Sequence, residues 1–142
     1  MAPSAGEQAR VLAKLEHLDA ILVELERHAG VTADELERDI DSRRLLEWRL
    51  YLAIQDVLDT GAIIAASRGW GPIERYRDIA EQLRTNGVLE PELAGRIGAM
   101  AGFRNLLVHE YEDVKPLLLS EYAQQLDDFR QFAESIARYV FG

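Results

Sequence analysis

Leu45-Leu46-Glu47-Trp48-Arg49-Leu50-Tyr51-Leu52-Ala53-Ile54-Gln55-Asp56-Val57-Leu58 decides the fold of this chain. Leu45, Trp48, Tyr51, Leu52, Ile54 and Leu58 recur three and four apart and give one broad apolar face. That is the period of an α-helix suited to the centre of a bundle. Working outward, Thr32 is the expected N-cap of this helix, which stops near Gly69-Trp70-Gly71. Upstream, Val11, Leu15, Leu18, Leu22 and Leu25 carry the same spacing, so a first helix is expected from Glu7 to His28, ended by Gly30. Downstream, Pro72 fits the first turn of a short third helix with Ile73, Tyr76, Ala80 and Leu83, and Asn86-Gly87 stops it. Pro91 opens a fourth helix. A last helix follows Pro116, with Leu119, Tyr122, Leu126, Phe129, Ala133, Ile136 and Val140 on its stripe. No stretch alternates with period two, so no strand is expected. The expected fold is all-α, an up-and-down bundle of four main helices plus one short helix, with residues 1–142 as one domain.

Composition narrows the function classes. At 142 residues and 16.0 kDa the chain can bury one core without disulfides or metal. It has no cysteine, which excludes thiol nucleophiles and cysteine-held zinc or iron. A metal bundle of the di-iron carboxylate kind needs paired Glu-x-x-His sequences, and the chain has none, so no metal or other cofactor is expected. The net charge of -9 opposes the broad phosphate affinity of a basic surface, so any RNA contact must be local. Arg43, Arg44 and Arg49 on the second helix, with Arg96 and Arg104 on the fourth, are the candidate cations. Pairing of the first three with nearby carboxylates is the plainer reading. The longest uninterrupted apolar runs, such as Ala62-Ile63-Ile64-Ala65-Ala66, fall well below the ~20 residues a membrane crossing needs. Met1-Ala2-Pro3-Ser4-Ala5-Gly6 lacks the basic region and apolar core of a signal peptide. A cytoplasmic protein without membrane attachment is expected.

Chemistry concentrates in Arg104-Asn105-Leu106-Leu107-Val108-His109-Glu110-Tyr111. Leu93, Ile97, Met100, Arg104, Leu107 and Tyr111 share one helix stripe, so Arg104 occupies a row that should face the apolar seam. A charge there costs several kcal/mol unless it is paired or reaches a wet cleft. A second stripe, Gly95, Gly98, Gly102, Asn105 and His109, surrenders roughly 1 kcal/mol of helix propensity per glycine. Either another helix or subunit approaches it closely, or the glycines relieve crowding within the monomer. On a regular helix Arg104 and His109 point about 140° apart. The helix must therefore end or deform near His109, or the two residues meet across a two-fold axis. Of the remaining candidates, His17 and His28 suit solvated positions on a Glu-rich helix. Trp48 suits the core and Trp70 a loop anchor better than either suits base stacking, and Glu35, Glu37, Asp39 and Asp41 suit a solvated face.

The Met100-Ala101-Gly102-Phe103-Arg104-Asn105 stretch, continued by His109-Glu110-Tyr111, resembles the signature of the HepT-like toxins of the HEPN superfamily: Arg, four spacers, His, one spacer, Tyr. The resemblance extends over nearly the whole chain in helix order. It implies a toxin of a toxin–antitoxin pair, a metal-independent endoribonuclease. Arg104 and His109 would be catalytic, with Asn105 part of the site, in a cleft between the subunits of a homodimer. It also implies an MntA-type nucleotidyltransferase antitoxin as partner, silencing the enzyme by AMPylation of Tyr111. The alternative within the resemblance is a non-catalytic HEPN module that dimerises and docks the nucleotidyltransferase.

Overall fold

The computed structural model describes residues 3–109 and 114–142, and among them every regular element is a helix. The four long helices are α1 (Ala5–Glu26), α3 (Ile40–Arg68), α5 (Pro91–His109) and α7 (Leu126–Phe141). Between them lie the short α2 (Ala33–Arg38), α4 (Tyr76–Thr85) and α6 (Pro116–Ala123). The expected framework of four main helices and a short one is present, with two of the expected helices divided.

The first division falls at Asp39. Its extended backbone ends α2, while its carboxylate accepts from the Ser42 backbone N–H at 3.2 Å and from the Ser42 hydroxyl at 2.8 Å. This is N-cap chemistry, and it starts α3 as a separate helix. Thr32 does cap, but it caps α2, accepting from the Glu35 N–H at 3.2 Å. The second division follows Ala123, where Gln124 and Gln125 donate back only three residues, to Glu121 and Tyr122, at 3.1 Å each. The tight turn lets α6 pack on α2 and α3 while α7 runs against α1 and α5. Pro72 is not in a helix. The loop continues to Arg75, whose N–H donates to Asp78 Oδ2 at 3.1 Å, so the carboxylate three residues ahead sets the start of α4.

Helix α3 runs through the middle and touches every other long helix. Leu46, Leu50, Ala53, Ile54, Val57, Leu58, Thr60 and Ile64 are its fully buried residues. The inward face is therefore turned from the expected one: Leu45 is 43% exposed and Trp48 57% exposed. An apolar face this broad leaves part of its arc outside the bundle. By length and composition α3 would also pass for a membrane-crossing helix, yet 56% of its most apolar window is buried within the protein, as a central core helix requires. Trp70 anchors the loop after α3, partly buried with its ring 6.2 Å from that of Tyr139.

Two local features fix how α4 and α1 seat on α3. A Cβ built on Gly61 would lie 2.2 Å from Ile79 Cγ2, so α4 sits closer to α3 than any side chain at position 61 allows. Glu7 and Arg68 form a two-pronged ion pair at 3.1 Å per contact, with the two side chains 0% and 6% exposed. Arg68 also lies 4.7 Å from the Tyr139 ring centroid. Burial raises the Glu7 carboxyl, but hydrogen bonds from Arg68 and Ser67 and the charge of Arg68 outweigh it and hold it below its ordinary value.

Candidate active site

Helix α5 carries Arg104, Asn105 and His109 on its last two turns, and His109 is its final residue. Leu93, Ile97, Met100 and Leu107 are buried as their stripe requires, and Phe103 stacks on Tyr122 at 4.1 Å, fastening α5 to α6. Arg104 stays half-buried on this apolar row because three elements satisfy it. Its Nε donates to Gln55 Oε1 of α3 at 3.1 Å, and its Nη1 donates to Asn105 Oδ1 at 3.1 Å. Its guanidinium carbon lies 4.5 Å from the ring centroid of Tyr76, the first residue of α4, and 6.0 Å from that of Tyr51. Gln55 is in turn oriented by Asp59, to which its Nε2 donates at 2.7 Å, and Asp59 accepts from Lys14 Nζ at 3.1 Å. A polar chain thus runs from α1 through α3 to the arginine.

Arg104, Asn105 and His109 line one open cavity of about 630 Å³ together with Ala62, Ile73, Glu74, Arg75, Tyr76 and Ile79. Arg104 and His109 line the same cavity although a regular helix points them about 140° apart, and α5 ends at His109. Asn105 and His109 are exposed there, and Arg104 reaches in from the seam. Tyr111 lies outside the described residues. The glycine stripe is open: Gly95 and Gly102 have no atom within 4 Å of a built Cβ, and Gly98 only Ala80 Cβ at 4.0 Å. Crowding within the monomer therefore does not account for these glycines.

Glu47 holds Arg43 and Arg44 at 3.2 and 2.9 Å, and Arg43 also donates to the Val114 carbonyl. Arg96 pairs with Asp128 at 2.8 Å. His17 is exposed as expected and His28 is partly buried, and both have partners. His17 contacts buried Asp56 at 2.5 Å, and His28 Nε2 meets Arg49 Nη1 at 2.9 Å. Burial and then the charge of Arg49 lower the His28 pKa, so His28 is the neutral acceptor of that contact. Burial raises Asp56 above its ordinary value despite His17. Glu35, Glu37, Asp39 and Asp41 are exposed. Trp48 is no core residue: it stacks on Tyr51 at 5.5 Å and lines a second hollow of about 410 Å³ beside Leu107 and Val108. Sequence reasoning missed Gln55, Tyr76 and Arg75 at the site. An unusual arginine on an apolar row signals that partners exist, but nothing local names them.

The chain is thus an all-α bundle with an arginine, an amide and a histidine near the end of one core helix. The family described as Ribonuclease HepT-like matches residues 18–136, and the chain belongs to that family. It is 28% identical over 103 residues to a tRNA nuclease HepT from Aphanizomenon flos-aquae, covering 72% of this chain and 70% of that protein. A tri-AMPylated Shewanella oneidensis HEPN toxin, solved in complex with an MNT antitoxin, superposes with a TM-score of 0.82 at 20% identity, over 90% of this chain and 96% of that one. YutE from Bacillus subtilis, a cytosolic protein of unknown function, superposes with a TM-score of 0.79 at 18% identity, over 93% of this chain and 89% of that one. At these identities the structural likenesses speak to the fold alone.

Proposed function

We propose that the chain is the toxin of a toxin–antitoxin pair and cleaves RNA in the cytoplasm without a metal ion. The observation that carries this reading is the convergence of Arg104, Asn105 and His109 on one cavity, in a chain of the Ribonuclease HepT-like family. The relative named tRNA nuclease HepT supports a ribonuclease, and the neighbour in complex with an antitoxin supports the pairing.

Imidazole and guanidinium suffice for the chemistry. His109 takes the proton of a ribose 2'-hydroxyl or returns one to the leaving 5'-oxygen. Arg104, held by Gln55, Asn105 and Tyr76, steadies the negative charge growing on the phosphorane oxygens. Attack of the 2'-oxygen on phosphorus expels the 5'-oxygen and leaves a 2',3'-cyclic phosphate and a 5'-hydroxyl. The open face at Gly102, beside Asn105 at the site end of α5, supports a homodimer in which the ends of two α5 helices approach and set paired sites facing one cleft. An MntA-type nucleotidyltransferase is the antitoxin, and Tyr111 takes the AMP. A bulky anion carried seven residues beyond Arg104 in the sequence would compete with RNA phosphate for that cation.

The test measures RNA cleavage and growth arrest for the wild type, Arg104→Ala and His109→Ala. Both variants should lose both effects by more than a hundredfold, and products should end in cyclic phosphate with EDTA present. Cleavage that persists in His109→Ala sinks the mechanism. A wild type that never cleaves yet binds the nucleotidyltransferase tightly marks a non-catalytic docking module instead. Intact mass after co-expression should rise by one or more AMP units, and this gain should vanish in Tyr111→Phe. Sedimentation of Gly102→Trp should show a monomer if the glycine face joins the subunits.

A further inference from the structure

We propose that Arg75 is a second phosphate-binding residue of the same cavity, so that the site grips two successive phosphates of an RNA strand. Arg104 takes the one that is cut, and Arg75 takes its neighbour. The inference rests on the ribonuclease reading above and adds a subsite to it.

Arg75 and Arg104 belong to different elements, yet both line the cavity of about 630 Å³. Their roles separate by how each is held. Arg104 is half-buried and engaged by an amide on either side and a ring beneath. Arg75 has a fixed root and an uncommitted head. Its backbone N–H is bound to Asp78 Oδ2 at 3.1 Å, while its side chain is 70% exposed and meets Asp78 Oδ1 only at 3.6 Å. That separation is beyond a normal hydrogen bond, and exposed pairs of this kind contribute little, so a phosphate displaces the contact readily. By comparison, Arg84 and Arg96 are closed onto their carboxylates at 2.5 and 2.8 Å.

The root of Arg75 and the guanidinium of Arg104 are also tied to one element. Tyr76, the residue after Arg75, is the ring on which Arg104 rests, so the loop that delivers one arginine supports the other. The start of the ten-residue α4 adds the partial positive charge of its first N–H groups on the same side. Glu74 is the carboxylate in the lining, and it is exposed. Two guanidiniums face it, one of them with Asp78 3.6 Å away, in a chain whose net charge is -9. Like charges converging on one hollow create a local field that needs an anion, and a strand with a phosphate at every nucleotide supplies two in sequence.

Binding of a short labelled single-stranded RNA is measured by fluorescence anisotropy across a salt series, with the full chain carrying His109→Ala so that nothing is cut. Adding Arg75→Ala should weaken binding about tenfold and reduce the slope of log affinity against log salt by about 0.7, one phosphate contact on a single strand. Arg75→Lys should restore most of the slope, because the charge returns. With His109 intact, Arg75→Ala should raise KM and leave kcat nearly unchanged. Unchanged affinity and slope in Arg75→Ala, with the parent binding normally, overturns the proposal. So does a change in oligomeric state with the slope intact, which would assign Arg75 to a subunit contact. If the parent does not bind RNA and the protein with His109 intact does not cleave it, the ribonuclease reading itself has failed and the subsite falls with it.

Discussion

Replacing Gly61 by alanine should lower stability, whereas the same change at Gly95 should raise it. The new Cβ at position 61 would stand 2.2 Å from Ile79 Cγ2 and 3.3 Å from Leu83 Cδ1. Carbon atoms in contact sit about 3.5–4.0 Å apart, so more than about 1 Å must be found. Ile79 is 2% exposed and β-branched within a helix, so it has no other comfortable rotamer to turn to. Either it leaves its rotamer or α4 retreats, at roughly 3 kcal/mol, the upper end for an overpacked core. Removing a mid-helix glycine returns roughly 1 kcal/mol. The net loss of about 2 kcal/mol corresponds to a Tm about 8 °C lower at ~4 °C per kcal/mol for a chain of this size. At Gly95 nothing lies within 4 Å, so only the propensity gain remains and Tm should rise about 2–4 °C. Because α4 delivers both Tyr76 and Arg75, Gly61→Ala should also cut RNA cleavage, while Gly95→Ala should not. Thermal unfolding followed by circular dichroism at one protein concentration decides it. A Gly61→Ala protein that melts at or above the wild type would refute the close-approach argument.

Tyr76→Ala should reduce kcat about fivefold, the worth of a cation–ring contact near 1 kcal/mol, and Tyr76→Phe should retain activity because the ring remains; steady-state cleavage of a short RNA measures both. Glu7→Gln should lower stability at pH 7 by about 3 kcal/mol in urea unfolding, since it removes the negative charge facing buried Arg68, and adding Arg68→Met should recover part of the loss. The folded carboxyl of Glu7 lies below its ordinary 4.5, so its contribution is present above that pH and is lost as pH falls through the lower folded value. The acid limb of stability should accordingly flatten in Glu7→Gln. The depressed His28 behaves alike: its contribution is present above its ordinary 6.5 and is lost as pH falls through the folded value, so His28→Gln should lessen the fall in Tm on acidification from neutral pH.

Much of the bundle was legible because its long helices obey one rule, apolar residues three and four apart, and the bends between them are marked by Gly30, Gly69, Gly87 and proline. Arg104 stood out for the converse reason, a cation on a row whose other described members are buried. What stayed hidden depends on residues that look ordinary in their own neighbourhoods. Asp39 sits among strong helix formers, and only its carboxylate on Ser42 reveals a cap. The inward face of α3 could be read as Leu45 or Leu46, because apolar residues fill more of its circumference than the bundle covers. Gln55, Tyr76 and Arg75 each belong to an unremarkable stretch of sequence, and packing alone brings them to Arg104 and its cavity.

Because Glu47 holds Arg43 and Arg44, Asp128 holds Arg96 and Glu26 holds Arg130, these outer cations are neutralised where they stand, over a chain carrying -9. A polyanion nearing such a surface is turned away at long range and rewarded only on reaching the cavity. Encounter, rather than grip, then sets the pace at low ionic strength. Raising salt from about 0.01 to 0.15 M shortens the screening length from about 30 to 8 Å and lifts that barrier. The association rate with RNA should therefore climb over this range, the reverse of the behaviour of a basic nuclease that draws its substrate in from afar.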